Sequence, residues 1–138
     1  MELKKISYKS LNSRQQENYN YQKISSVLAD YGFITHRLSD DWQGADFIAQ
    51  HINGSTFLKV QLKGRLTFEK KYIGKDIWIV FNSNNIWYLY PHDQLLKEIL
   101  DVSKIGSTSS WKDKGGYSFP HLSTKLKYLL ENFKIEKI

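Results

Sequence analysis

The run DFIAQHINGSTFLKVQLK, residues 46–63, restricts what this chain can fold into more than any other. Two stretches of alternating character flank Asn53-Gly54, a dipeptide suited to a tight hairpin because both positions accept positive φ. With those two residues as the loop, Ile52 opposes Ser55, paired positions sum to 107, and Asp46 lies opposite Gln61. Directly opposed side chains share a face, with Cβ atoms about 4.5–5.5 Å apart. Lys63 follows on that face. The other face sets Phe47, Ala49 and His51 against Leu58, Val60 and Leu62 and reads as the packed one.

A carboxylate, an amide and an ammonium gathered on one side of a hairpin suit phosphodiester hydrolysis. Asp46 would anchor Mg²⁺, a hard cation that prefers oxygen ligands, with Mn²⁺ as a substitute. The side-chain oxygen of Gln61 and the backbone carbonyl of Leu62 would complete the protein ligands. Lys63 would orient the nucleophile and stabilise developing negative charge. The plainer alternative is a half-buried strand with a solvated face.

The flanking sequence predicts elements that pack on such a hairpin. A helix is expected over 13–32, with Ser13 and Gln16 as a capping box, Ile24, Val27, Leu28 and Tyr31 at helical spacing, and Gly32 as the stop. Strands follow at 33–38, 46–51 and 56–63, with a polar loop at 39–44. A second hairpin joins 76–82 to 86–91, a short helix covers 92–100, a Gly/Ser/Lys-rich loop fills 103–120, and a helix runs from Ser123 to Phe133. Trp78, Trp87, Tyr88 and Tyr90 fall in apolar strands and are expected in the core.

The order predicts an α/β or α+β domain with a mixed sheet of about four to five strands flanked by helices. Its 138 residues suit one domain, 1–138, with a core over about 13–100 and a C-terminal loop and helix over 101–138. There are no cysteines, which removes disulfides and thiolate metal sites. The four histidines stand at no ligand spacing, so a zinc site is not expected. No Gly-rich nucleotide loop is present, and no nucleotide cofactor is expected. The start lacks the apolar core of a signal peptide and no run approaches membrane-spanning length, so a cytoplasmic protein with no membrane partner is expected.

The net charge of +6 is concentrated. Lys59, Lys63, Arg65, Lys70, Lys71 and Lys75 stand against Glu69 alone, which accounts for +5 of it. Such density favours a polyanion, here DNA, although a solvated lysine-rich loop has the same composition. Lys104, Trp111, Lys112 and Lys114 in the long loop are further candidates for nucleic-acid contact, as is Trp42, with folding back onto the core the equal alternative for both tryptophans. Asp40 and Asp41 read as solvated loop acids, with an outer-shell role beside a metal as the alternative.

The "GAD" at 44–46 and "VQLK" at 60–63 resemble the PD-(D/E)xK nuclease superfamily, and in particular its Mrr-like and small restriction or homing endonuclease branches with Gln-x-Lys. The resemblance implies a restriction endonuclease-like core, ordered helix-strand-strand-strand-helix-strand, over residues 13 to about 100. It implies catalytic positions at Asp46, Gln61 and Lys63, with Glu17 as the candidate for a first-helix acid. No proline precedes Asp46, and Gln61 brings no second negative charge. The expected function is a Mg²⁺-dependent DNA endonuclease. The alternative is a catalytically inactive nuclease-fold DNA-binding subunit or interaction partner in a defence or toxin system. A homodimer would let single active sites cut both strands of a duplex.

Overall fold

The structure, a computed structural model, describes residues 1–136. After a 3-10 turn at Tyr8–Ser10, helix α1 spans Ser13–Ala29. Its capping box is formed one residue earlier than expected. Asn12 Oδ1 accepts the amide of Gln15, and Gln15 Oε1 accepts that of Asn12, both at 2.9 Å. Asparagine caps as well as serine, and taking position 12 satisfies both amides at once. Ile24, Val27 and Leu28 turn inward, whereas Tyr31 lies beyond the helix and is exposed.

Strands β1 (Phe33–Trp42), β2 (Ala45–His51) and β3 (Phe57–Leu62) form an antiparallel meander. The polar loop expected at 39–44 shrinks to a turn at Gln43-Gly44, both at positive φ, because β1 continues to Trp42. The expected register holds from Gln50↔Phe57 to Phe47↔Val60. The loop is longer than two residues, however. The amide of His51 reaches the carbonyl of Thr56, while Asn53 Oδ1 accepts the amides of Ser55 and Thr56. An Asx turn thus replaces the two-residue turn without shifting the pairing.

β4 (Leu66–Glu69) and a 3-10 turn at Lys70–Tyr72 lead to β5 (Ile77–Ser83), which lies parallel to β3. The resemblance implies a helix in this connection, and the chain makes a short strand and a single turn there instead. β6 (Ile86–Pro91) pairs with β5 and runs into α2 (His92–Val102). The segment expected as an open loop, 103–120, holds a 3-10 turn, a π-helical turn at Ser110–Lys114 and β7 (Gly116–Phe119), which pairs with β4. α3 (Thr124–Leu130) and β8 (Lys134–Ile135) follow.

The fold is therefore a mixed α+β structure. Among the described residues its main sheet has six strands in the order β1-β2-β3-β5-β6-β8, beside a two-stranded β4-β7 ribbon. Period-two alternation divides the core in two. Phe47, Ala49, Val60, Val80 and Trp87 meet α1 on one face. On the other, Ile77, Ile79, Phe81, Tyr88 and Tyr90 pack with Tyr72, α2, α3 and the ribbon. Trp87, Tyr88 and Tyr90 are buried as expected, and Trp78 is half-buried against the α1 cluster. Among the described residues no helix is long and apolar enough to cross a membrane.

Candidate functional site

β2 is paired on both sides along most of its length, with one exception. On the β1 side the pairs run to Arg37↔Phe47 and resume only at Trp42↔Ala45, so residues 38–41 bow out opposite Asp46 alone. On the β3 side the ladder stops at Phe47↔Val60. A bulge of this kind bends the strand and leaves its centre unpaired. Asp46 therefore sits between two strands that both draw away from it.

The gap is a cleft of about 880 Å³. Asp46, Gln61, Leu62 and Lys63 line it from the hairpin, Glu17 and Arg14 from α1, and Asp40 and Asp41 from the bulge. All four expected catalytic side chains, Asp46, Gln61, Lys63 and Glu17, thus border one space. Asp40 and Asp41 border it too, and both are exposed, as expected of solvated acids.

Each group has a distinct environment. Asp46 Oδ2 accepts the amide of Leu62 at 2.9 Å, which leaves Oδ1 for another partner. Burial pushes the Asp46 carboxyl above the usual aspartate range, and the nearby charges of Asp41 and Glu17 push it the same way. The Leu62 amide and the Lys63 ammonium oppose this without cancelling it. Gln61 Oε1 is buried with no hydrogen-bond partner. In a strand, the N–H and C=O of one residue point to the same edge. The Leu62 carbonyl therefore lies on the edge its amide shares with Asp46.

The ammonium of Lys63 is paired with Glu69. Its Nζ lies 2.8 Å from Glu69 Oε2, as an ion contact without the alignment of a hydrogen bond, and 5.5 Å from the centre of the Tyr72 ring. Burial would raise the Glu69 pKa, but Lys63, with Tyr72 and Lys71 adding to it, holds the carboxyl below the usual range. The Glu69 amide donates to Nε2 of the fully buried His92 at 3.0 Å, and His92 Nδ1 lies 2.8 Å from Asp93 Oδ1. His92 therefore carries its hydrogen on Nδ1, donating to Asp93. Sequence reading missed Glu69. The available signal was its isolation as the one acid among six cations.

The basic residues are dispersed. Arg65 borders a second groove with Thr67, Ser118 and Lys63. Lys59 lies over the Trp42 ring and 3.4 Å from Gln43 Oε1. Lys71 is 3.7 Å from Glu69. Lys75, Lys104, Lys112 and Lys114 are exposed. Of the two places open to Trp111, a nucleic-acid-facing loop and the core, it takes the core. It is 7% exposed, packed in the core, with Lys70 Nζ 5.4 Å from the ring centre. The π turn folds it inward, so its ring offers no face to a base.

Oxygen donors from Asp46, Gln61 and the Leu62 edge are chemically suited to Mg²⁺, and the unpartnered Gln61 oxygen is the feature that a cation would satisfy. Among the described residues, no three His, Cys, Asp or Glu side chains form a group able to hold a metal, so such a site would rely on the amide and carbonyl oxygens. Compared with protein-family models, curated proteins and solved structures, the chain matches none.

Proposed function

We propose that this protein is a Mg²⁺-dependent endonuclease that hydrolyses DNA phosphodiester bonds, with its active site in the Asp46 cleft. One observation carries the reading: the half-buried Asp46 carboxylate, with one oxygen on the Leu62 amide, shares a cleft with a buried amide oxygen that has no partner. A buried Gln61 oxygen without a donor, with the Asp46 carboxylate and further acids at Glu17, Asp40 and Asp41 around the same cleft, favours a bound cation.

In this reading Asp46 and Gln61 would hold the cation, with the Leu62 carbonyl beside them. The chemistry that Mg²⁺ would supply there is a more acidic water and a polarised phosphate. Asp46 keeps its geometry through the Leu62 amide. Glu69 holds the Lys63 side chain at the margin of the cleft, where it would stabilise negative charge developing on the phosphate. Duplex cleavage would use a two-fold homodimer.

The test is incubation of plasmid and single-stranded DNA with Mg²⁺ or Mn²⁺, beside Asp46→Asn and Lys63→Ala proteins. Metal-dependent cleavage by the wild type, lost in both variants, supports the reading. Absence of cleavage on any nucleic acid favours the second reading, a nuclease-like DNA-binding protein without catalysis. Two features favour that alternative: Gln61 contributes no charge, and the Lys63 ammonium is already paired with Glu69.

A further inference from the structure

A second cavity, of about 500 Å³, opens on the far side of Lys63. It shares Asn20, Leu62, Lys63 and Gly64 with the Asp46 cleft. Gly64 is exposed, and a Cβ there would meet nothing within 4 Å. Its size lies within the usual range of small-ligand sites.

The lining of this cavity is unusual for a surface groove. Tyr8 and Tyr19 meet at a tilt of 60° with ring centres 5.3 Å apart, and they are 39% and 40% exposed. Tyr8 is pinned to α1. Its hydroxyl accepts from Asn20 Nδ2 at 2.9 Å and its carbonyl accepts from Gln16 Nε2 at 3.2 Å. Lys23 Nζ lies 5.3 Å from the Tyr19 ring centre. Across the cavity stand Asn82 and Asn85, presented by the tight β5-β6 turn in which Asn84 and Asn85 both have positive φ. Asn82 Oδ1 accepts the Asn85 amide at 3.2 Å, which fixes the turn and leaves the Asn82 amide nitrogen and the Asn85 side chain to the cavity.

We infer that this cavity receives an unpaired nucleobase of the nucleic-acid substrate, one step along the strand from the phosphate in the Asp46 cleft. The inference rests on the function proposed above. Half-exposed tyrosines offer a stacking surface, and every base has a face that can use it. Carboxamides carry donor and acceptor together and so match a base edge, while Lys23 suits the adjoining phosphate. A base in this position has left its own stack, so the substrate is single-stranded or locally opened at the site. No residue of the cavity was part of the nucleic-acid surface expected from the sequence, apart from Lys63 at its margin.

Binding of fluorescein-labelled oligonucleotides, followed by anisotropy in EDTA to prevent cleavage, tests this. The wild type should bind a single strand about tenfold more tightly than a blunt duplex of the same sequence. Tyr8→Ala/Tyr19→Ala should lose about that factor for the single strand only, and Tyr8→Phe/Tyr19→Phe should retain it. Gly64→Phe, which leaves the tyrosines and their contacts intact, should also weaken single-strand binding by obstructing the junction of the two spaces. Equal single-strand affinity in the wild type and both the tyrosine-to-alanine and Gly64 variants overturns the inference, as does a preference for the duplex. Wild-type binding and cleavage with unaltered variants would remove only this inference. A wild type that binds neither oligonucleotide would remove the proposed function with it.

Discussion

Asp46 Oδ2 accepts the amide hydrogen of Leu62 at 2.9 Å, where an unbroken continuation of the β2-β3 ladder would offer the carbonyl of Ala45. A side chain has replaced a backbone partner at the point where β1 and β3 both diverge from β2. One carboxylate therefore closes the hairpin and equips the cleft.

These two roles can be separated by substitution. Asp46→Ala leaves the Leu62 amide without its partner and should cost about 1–3 kcal/mol. Asp46→Asn keeps an oxygen acceptor and should melt close to wild type. Both variants should lose Mn²⁺ binding measured by calorimetry. In the wild type, burial raises the Asp46 pKa above the ordinary 3.8. Metal affinity should therefore begin to fall on acidification at a pH above that expected for a solvated aspartate. Mn²⁺ binding that persists in Asp46→Asn would place the metal elsewhere.

Gln61→Glu should exchange metal-free stability for metal affinity. The added charge lies in a cleft already bordered by Asp46, Asp41 and Glu17, so without metal the variant should melt below wild type. Mg²⁺ should reverse the order, because a second carboxylate strengthens binding of a hard cation. Thermal melts with and without Mg²⁺ check both halves. A variant indifferent to Mg²⁺ would count against Gln61 as a ligand.

Glu69 should act on Lys63 more than on the fold. A carboxyl with a depressed pKa stabilises the folded state above its ordinary value of 4.5, and that contribution is lost as pH falls through the lower folded value. Glu69→Gln should flatten this acid limb of the melting curve. It should also lower cleavage rate more than substrate affinity, since Lys63 loses its anchor. An unchanged acid limb would show that the ion pair contributes nothing measurable.

His92 gives a limb at higher pH. Burial lowers its pKa below 6.5, outweighing the opposing pull of Asp93. The unfolded chain then takes up the proton first, so stability should decline as pH falls below 6.5. His92→Gln retains an acceptor for the Glu69 amide and removes the titration. Its melting temperature should vary less between about pH 5 and 6.5 than that of wild type.

The β2-β3 register was legible because it depends on short-range features. Side-chain alternation has a period of two, and Asn53 organises the turn through its own neighbours. The same locality explains the placement of α1 and of the β5-β6 hairpin. The end of β1 was misread because residues 39–41 are polar, and only pairing of Trp42 with Ala45 draws them into the strand. β4 and β7 were invisible as partners, since four-residue strands separated by the long loop carry no local period that links them.

By itself, then, the sequence determined a hairpin whose register brings Asp46 and Gln61 to adjacent strand positions and sends Phe47, Ala49 and Val60 into a core. Pattern and turn chemistry suffice for that, because both act within a few residues. Only the tertiary structure decided that β1 would bow away from Asp46 and that α1 would bring Glu17 to the same cleft. The same holds for the pairing of Glu69 with Lys63 and for Trp111, which left the loop for the core. Each of these depends on contacts between segments far apart in the chain, where burial and charge pairing are settled by what the completed fold places alongside.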